Sequence, residues 1–83
     1  MAMVAVVFKV YPKEGTQIEA TVDNIKAKVN PANVQVEELA FGIKMAKVLF
    51  KFDDATNSSS KLEEGLRAVE GVGEVEVEEE SLV

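Results

Sequence analysis

Two stretches of alternation restrict the folds open to this chain more than any other feature. From Ala2 to Tyr11, Val4, Val6, Phe8 and Val10 point one way, and Ala5, Val7, Lys9 and Tyr11 point the other. From Ile43 to Phe52, Ala46, Val48, Phe50 and Phe52 share one face, and Ile43, Met45, Lys47, Leu49 and Lys51 share the other. A period of two marks a strand with one buried face, and β-branched and aromatic residues suit that pleated surface. Pro12 closes the first strand because it has no N–H to offer a ladder.

The segments between these strands change period. Thr16 followed by Glu19 has capping-box spacing and predicts a helix start. Ile18, Val22, Ile25 and Val29 follow at intervals that build one apolar stripe, and Asn30-Pro31 ends it. Val34 to Ala40 reads as a weaker strand, joined to the strong one by a turn or bulge at Phe41-Gly42, where Gly42 is free to take positive φ. Asp53 to Ser60 is polar loop, with Asp53-Asp54 suited to turn and cap chemistry. Ser60 and Glu63 form a second capping-box pattern, with Asn57 as the alternative start one turn earlier. Leu62, Leu66 and Val69 supply the second stripe, and Gly71 a stop. In the last strand, Val72 to Glu79, Val75 and Val77 face in while Glu74, Glu76 and Glu78 face out. The order β-α-β-β-α-β predicts an α+β, ferredoxin-like βαββαβ sandwich. In it a four-stranded antiparallel sheet carries both helices on one face, with the first and third strands central.

With 83 residues the chain has room for one domain, residues 1–83, and one core. It contains neither Cys nor His, which excludes disulfides, thiol nucleophiles, Ser–His machinery and soft-ligand metal sites. Its longest apolar run, Met1 to Phe8, is far short of a membrane span and has no basic lead-in, so neither membrane insertion nor a signal peptide is expected. The net charge of −6 argues against nucleic acid, whose affinity comes from neutralised phosphates. The run from Glu74 to Glu80 reads as a solvated strand face and an acidic tail, without the turn a cation loop needs. Gly71-Val72-Gly73 follows a helix and precedes a strand, the reverse of a phosphate loop. The strand order matches RNA-recognition domains, yet Phe8, Phe50 and Phe52 fall on core positions, leaving Tyr11 as the aromatic of the open sheet face. No catalytic residue, metal site or cofactor is predicted.

That open face sets Val7, Tyr11, Ile43, Met45 and Leu49 beside Lys9, Lys47 and Lys51, with Glu37, Glu74, Glu76 and Glu78 at the edges. Cross-strand ion pairs are expected, each worth about 0.5 kcal/mol. The apolar residues among them mark either a partner or self-association surface, or a half-solvated sheet with chance apolar positions.

The segment Leu39-Ala40-Phe41-Gly42-Ile43-Lys44, followed after a strand by Asp53-Asp54, resembles the translation elongation factor 1-beta family. Val10-Tyr11-Pro12 and Val69-Glu70-Gly71-Val72 fit the same pattern, and the likeness spans essentially the whole chain at the length of the stand-alone archaeal form. The resemblance implies a cytoplasmic factor that exchanges GDP for GTP on the GTPase elongation factor 1-alpha, meeting its GDP-bound and nucleotide-free forms, without covalent chemistry. It implies partner contacts at Phe41, the family's docking aromatic, at Gly42, Ile43 and Lys44, and at Ser81, Leu82 and Val83 near the Mg²⁺ site. The end departs from the family, since Ser81 stands about where a basic residue belongs and the preceding glutamates cannot mimic a cation.

Two rival classes remain in view. A ferredoxin-like small-molecule-binding regulatory domain would want a Gly-rich loop after the first strand, where only Gly15 stands. An acylphosphatase-like enzyme would want an arginine near that strand, and the sole arginine is Arg67. Phe41 itself has two readings from sequence, a docking anchor or a lid on the end of the core.

Overall fold

A computed structural model describes residues 2–83 and turns the two alternating stretches into β1 (Met3–Pro12) and β3 (Lys44–Asp53). Around them stand α1 (Ile18–Val29), β2 (Asn33–Glu38), a short 3₁₀ turn (Ala40–Gly42), α2 (Ser59–Arg67) and β4 (Val72–Leu82). The sheet order is β2-β3-β1-β4, antiparallel at every pairing, so β1 and β3 are central as the sequence predicts. This is the ferredoxin-like α+β fold. Met1, the first residue of the opening apolar run, lies outside the described residues.

The core gathers the inward positions of β1 and β3 against Ile18, Val22 and Ile25 of α1 and Leu66 and Val69 from α2 and its exit. Phe8 and Phe50 meet edge to face, centroids 5.9 Å apart and planes at 76°, a geometry worth about 0.5–1.5 kcal/mol beyond burial. Phe52 lies on the same side, so the three strand phenylalanines are core residues, as their strand positions predict.

Among the described residues one buried polar side chain, Thr21, joins the two halves. Thr21 Oγ1 lies 3.1 Å from the Gly71 carbonyl and 3.3 Å from that of Gln17, sharing its single O–H between α1 and the loop before β4. The same Gly71 carbonyl accepts the Lys13 N–H at 2.7 Å, and Asn24 Nδ2 donates to the Glu70 carbonyl at 2.9 Å. Gly71 has φ +91°, and a Cβ there would stand 3.0 Å from Thr21 Oγ1. The residue is therefore fixed by conformation and by crowding.

Several boundaries differ from the sequence reading. The Thr16–Glu19 box does not form: the N-cap of α1 is Gln17, without a side-chain cap bond. Thr16 is held one residue outside by a turn, its N–H donating to the Lys13 carbonyl at 2.9 Å. Ser60 is likewise inside α2 rather than at its cap. Ser58 caps the helix by accepting the Lys61 N–H at 3.2 Å, placed there by the turn that starts at Asp53. Helix α2 ends at Arg67, before the Gly71 stop, and Val69 seals the core from the exit turn. At the sheet, β2 ends at Glu38 rather than Ala40, and Val77, expected inside, is half exposed on the edge strand. The largest correction concerns the acidic tail: β4 continues to Leu82, paired with β1 as far as Val4.

Candidate protein-docking site

The β2–β3 connection narrows to three residues between Leu39 and Ile43, whose backbones bond from Leu39 N–H to Ile43 carbonyl. Ile43 N–H reaches the Ala40 carbonyl at 3.4 Å. Within that span both Phe41 (φ 64°, ψ 29°) and Gly42 (φ 74°) are left-handed. Two successive positive φ values are what a type I′ turn requires, and such turns prefer Asn-Gly or Asp-Gly. Glycine meets the requirement freely at the second position. Phenylalanine at the first does so at a cost of about 1–2 kcal/mol, the ordinary penalty of Cβ against the following carbonyl.

The side chain recovers almost nothing by packing on the other described residues. Phe41 is 99% exposed, so it does not close the core. Its neighbours Leu39 and Ile43 are also exposed. Lys44 turns to the helix side, where Nζ lies 3.7 Å from Glu19 Oε1 in the first turn of α1. Between the turn and that helix end runs an open groove of about 380 Å³, lined by Pro12, Thr16, Gln17, Ile18, Glu19, Gly42 and Lys44.

The other predicted contact residues lie elsewhere. Ser81 and Leu82 pair with Ala5 and Val4, and Val83 N–H donates to the Met3 carbonyl at 2.9 Å. Leu82 and Val83 are about three-quarters exposed on this ordered strand end. Met3 in turn pairs with Asp53, at the opposite end of β3 from Lys44. The ten residues of β3 at ~3.3 Å each set the two groups about 30 Å apart. The fold brings 41–44 together and brings 81–83 together, but holds the two sets at opposite ends of the sheet.

On the helix-free face part of the expected cross-strand pairing is present: Lys9 and Lys47 pair with Glu37 and Glu78, whereas among the described residues Lys51, Glu74 and Glu76 form no ion pair. Lys47 Nζ lies 3.2 Å from Glu78 and 3.4 Å from Glu37, and Lys9 Nζ lies 3.9 Å from Glu78. Glu78, and secondarily Glu37, hold the Lys47 ammonium above its ordinary range, because both carboxylates favour the charged form. Of the five apolar residues assigned to this face, Ile43 is exposed and the other four are less exposed than expected. Val7, Tyr11 and Leu49 are half-buried and Met45 is fully buried, although no helix covers it. Asp53 and Asp54 make turn contacts: Asp53 Oδ1 accepts from Ala55 N–H, and Asp54 Oδ1 from Ala2 N–H. Among the described residues no group of acidic side chains converges on a metal position.

Sequence reasoning finds the turn but misses the strain at Phe41, whose identity carries no signal of positive φ. It also misses the ordering of 81–83, because glutamates on an edge strand read as tail.

Fold and geometry together define a ferredoxin-like α+β domain whose most exposed aromatic sits at the tip of its β2–β3 hairpin. The profile of the EF-1 guanine nucleotide exchange domain matches residues 5–83. The chain is 38% identical to the elongation factor 1-beta of Pyrobaculum calidifontis, across 93% of this chain and 90% of that protein. It is 39% identical to that of Aeropyrum pernix, across 94% and 93%, and 34% identical to that of Methanosphaerula palustris, across 99% of both. The chain belongs to the EF-1 guanine nucleotide exchange domain family. Membership favours an exchange-factor reading over a metabolite-binding regulatory domain.

Proposed function

We propose that residues 1–83 act as one exchange domain. It promotes replacement of GDP by GTP on the GTPase elongation factor 1-alpha during protein synthesis in the cytoplasm, and it makes and breaks no covalent bond. The observation that carries the reading is Phe41: a fully exposed aromatic, held in a conformation that costs the free domain stability. Strain of this kind persists where function uses it, and large aromatics are the residues that dominate protein interfaces.

An exchange factor must bind the nucleotide-free GTPase more tightly than the GDP-bound form, since equal affinity for both shifts nothing. The two exposed sets support a division of labour. Phe41, Gly42, Ile43 and Lys44 anchor the complex at one end of the sheet, and Ser81, Leu82 and Val83 reach the partner about 30 Å away. The second contact is the stiff end of a paired strand, so it meets the GTPase as a fixed edge. With Ser81 where the family resemblance implies a basic residue, that edge acts by displacement and not by supplying a cation.

The test is release of fluorescent GDP from purified archaeal elongation factor 1-alpha, with and without this protein. Faster release at micromolar concentration is expected, and unchanged release would sink the proposal.

A further inference from the structure

The pairing of β1 with β4 breaks register inside the sheet. Phe8 pairs with Val77 and Val7 with Glu79, which leaves Glu78 as an extra residue on β4. Such a bulge resets the side-chain phase of everything beyond it. Here it sets Glu80 opposite Val6 and Leu82 opposite Val4, both on the helix side. Glu80 there accepts a hydrogen bond from Ser59 Oγ at 2.8 Å. A continuous ladder would slide the segment by one residue and send Leu82 to the opposite face, opposite Met3.

The extra residue is held from two strands away. Glu78 Oε1 lies 3.2 Å from Lys47 Nζ on β3, which reaches across β1, and 3.9 Å from Lys9 on β1 itself. Glu37 on β2 backs Lys47 from the other side at 3.4 Å. The Lys47 and Glu78 side chains are only 29% and 30% exposed, so water and salt screen this pair less than an ordinary surface bridge.

We propose that Lys47 and Glu78 are positioning residues for the 81–83 strand end: their ion pair fixes the bulge in β4, and the bulge decides which face Leu82 presents to the GTPase. The assignment rests on the reading above that residues 81–83 meet that partner.

The experiment measures fluorescent GDP release against exchange-factor concentration for Lys47→Met, Glu78→Gln, the double variant and Lys47→Arg. Lys47→Met and Glu78→Gln are also made in a chain lacking Ser81–Val83. Lys47→Met should lower the maximal rate by up to about 100-fold, the scale of a misplacement of about 1 Å at a working group. The half-saturating concentration should hold, because neither backbone bond of the 39–43 turn involves Lys47 or Glu78, and Glu78→Gln leaves the Lys47–Glu37 pair beside that hairpin in place. Glu78→Gln should match it, the double variant should be no worse than either single, and Lys47→Arg should keep most of the rate. In the shortened chain, already slow, Lys47→Met should change nothing further.

A wild-type maximal rate in both Lys47→Met and Glu78→Gln, or a loss that persists in full without residues 81–83, overturns the aiming role. A shortened chain as fast as wild type removes the strand-end reading and the aiming role together, while Phe41 docking and exchange itself still stand. Melting temperatures are read alongside. Should Lys47→Met fail to fold, Glu78→Gln carries the same test.

Discussion

Phe41→Asn should make the isolated domain more stable and the exchange factor worse. The side chain is 99% exposed, so its removal from the folded state forfeits almost no burial. Its backbone stands at φ 64°, ψ 29°, a region that costs an ordinary side chain about 1–2 kcal/mol and asparagine much less. The turn would then carry asparagine followed by Gly42, the pair this geometry prefers. A net gain of about 1 kcal/mol is expected, which for a domain of this size raises the melting temperature by about 4–8 °C. The same change removes the anchor. Loss of a central interface aromatic costs about 2 kcal/mol or more, so the half-saturating concentration for GDP release should rise roughly 30-fold. Calorimetry and release kinetics on one preparation test both halves. A variant that melts several degrees earlier would show that Phe41 packs on something in the free domain. One that exchanges at an unchanged half-saturating concentration would remove the docking role.

Phe50→Ala should cost about 3–5 kcal/mol in denaturant titration, since it empties the ring position packed edge-on against Phe8; a midpoint equal to wild type would reverse the assignment of sheet faces. Ser58→Ala should cost about 1 kcal/mol through loss of the α2 cap, whereas Thr16→Ala should stay within about 0.5 kcal/mol, and the reverse ranking would restore Thr16 as the cap of α1 and remove Ser58 as that of α2. The Lys47 ammonium, favoured in the folded state by Glu78 and Glu37, contributes stability that is complete below the ordinary lysine value of 10.5 and is lost as pH rises through the higher folded value. The urea midpoint of wild type should therefore fall more steeply above about pH 10.5 than that of Lys47→Met, and parallel curves would show the pair to be idle.

The parts of this molecule legible in its sequence are those governed by periodicity. Alternation through Val4–Val10 and Ala46–Phe52 places β1, β3 and their buried faces, and the spacing of Ile18, Val22 and Ile25 places α1 against them. Caps are less legible. Thr16 and Ser60 have the right chemistry, but turns anchored at Lys13 and Asp53 decide which residue takes the extended conformation before each helix. Residues 78–82 are illegible for a different reason. Their pairing depends on β1 needing a second neighbour and on a bulge whose stabilising lysine is 31 positions away in sequence, Lys47 against Glu78. At the candidate site, composition and resemblance single out Phe41, yet full exposure and left-handed backbone are tertiary facts that no local pattern encodes.

The central position of β1 also has a consequence for how the domain comes into being. Val6 has Phe50 on one side and Glu80 on the other, so β1 waits for partners 44 and 74 positions later. Such distant pairings make folding slow relative to helical domains of the same size. During synthesis, at about 5–20 residues per second, Val4, Val6, Phe8 and Val10 spend seconds without a sheet to join. A hairpin of β2 and β3 can close early, because its strands are adjacent in sequence, and it gives β1 its first edge. The second edge comes only once β4 has emerged, when Leu82 arrives opposite Val4 and β1 is finally enclosed.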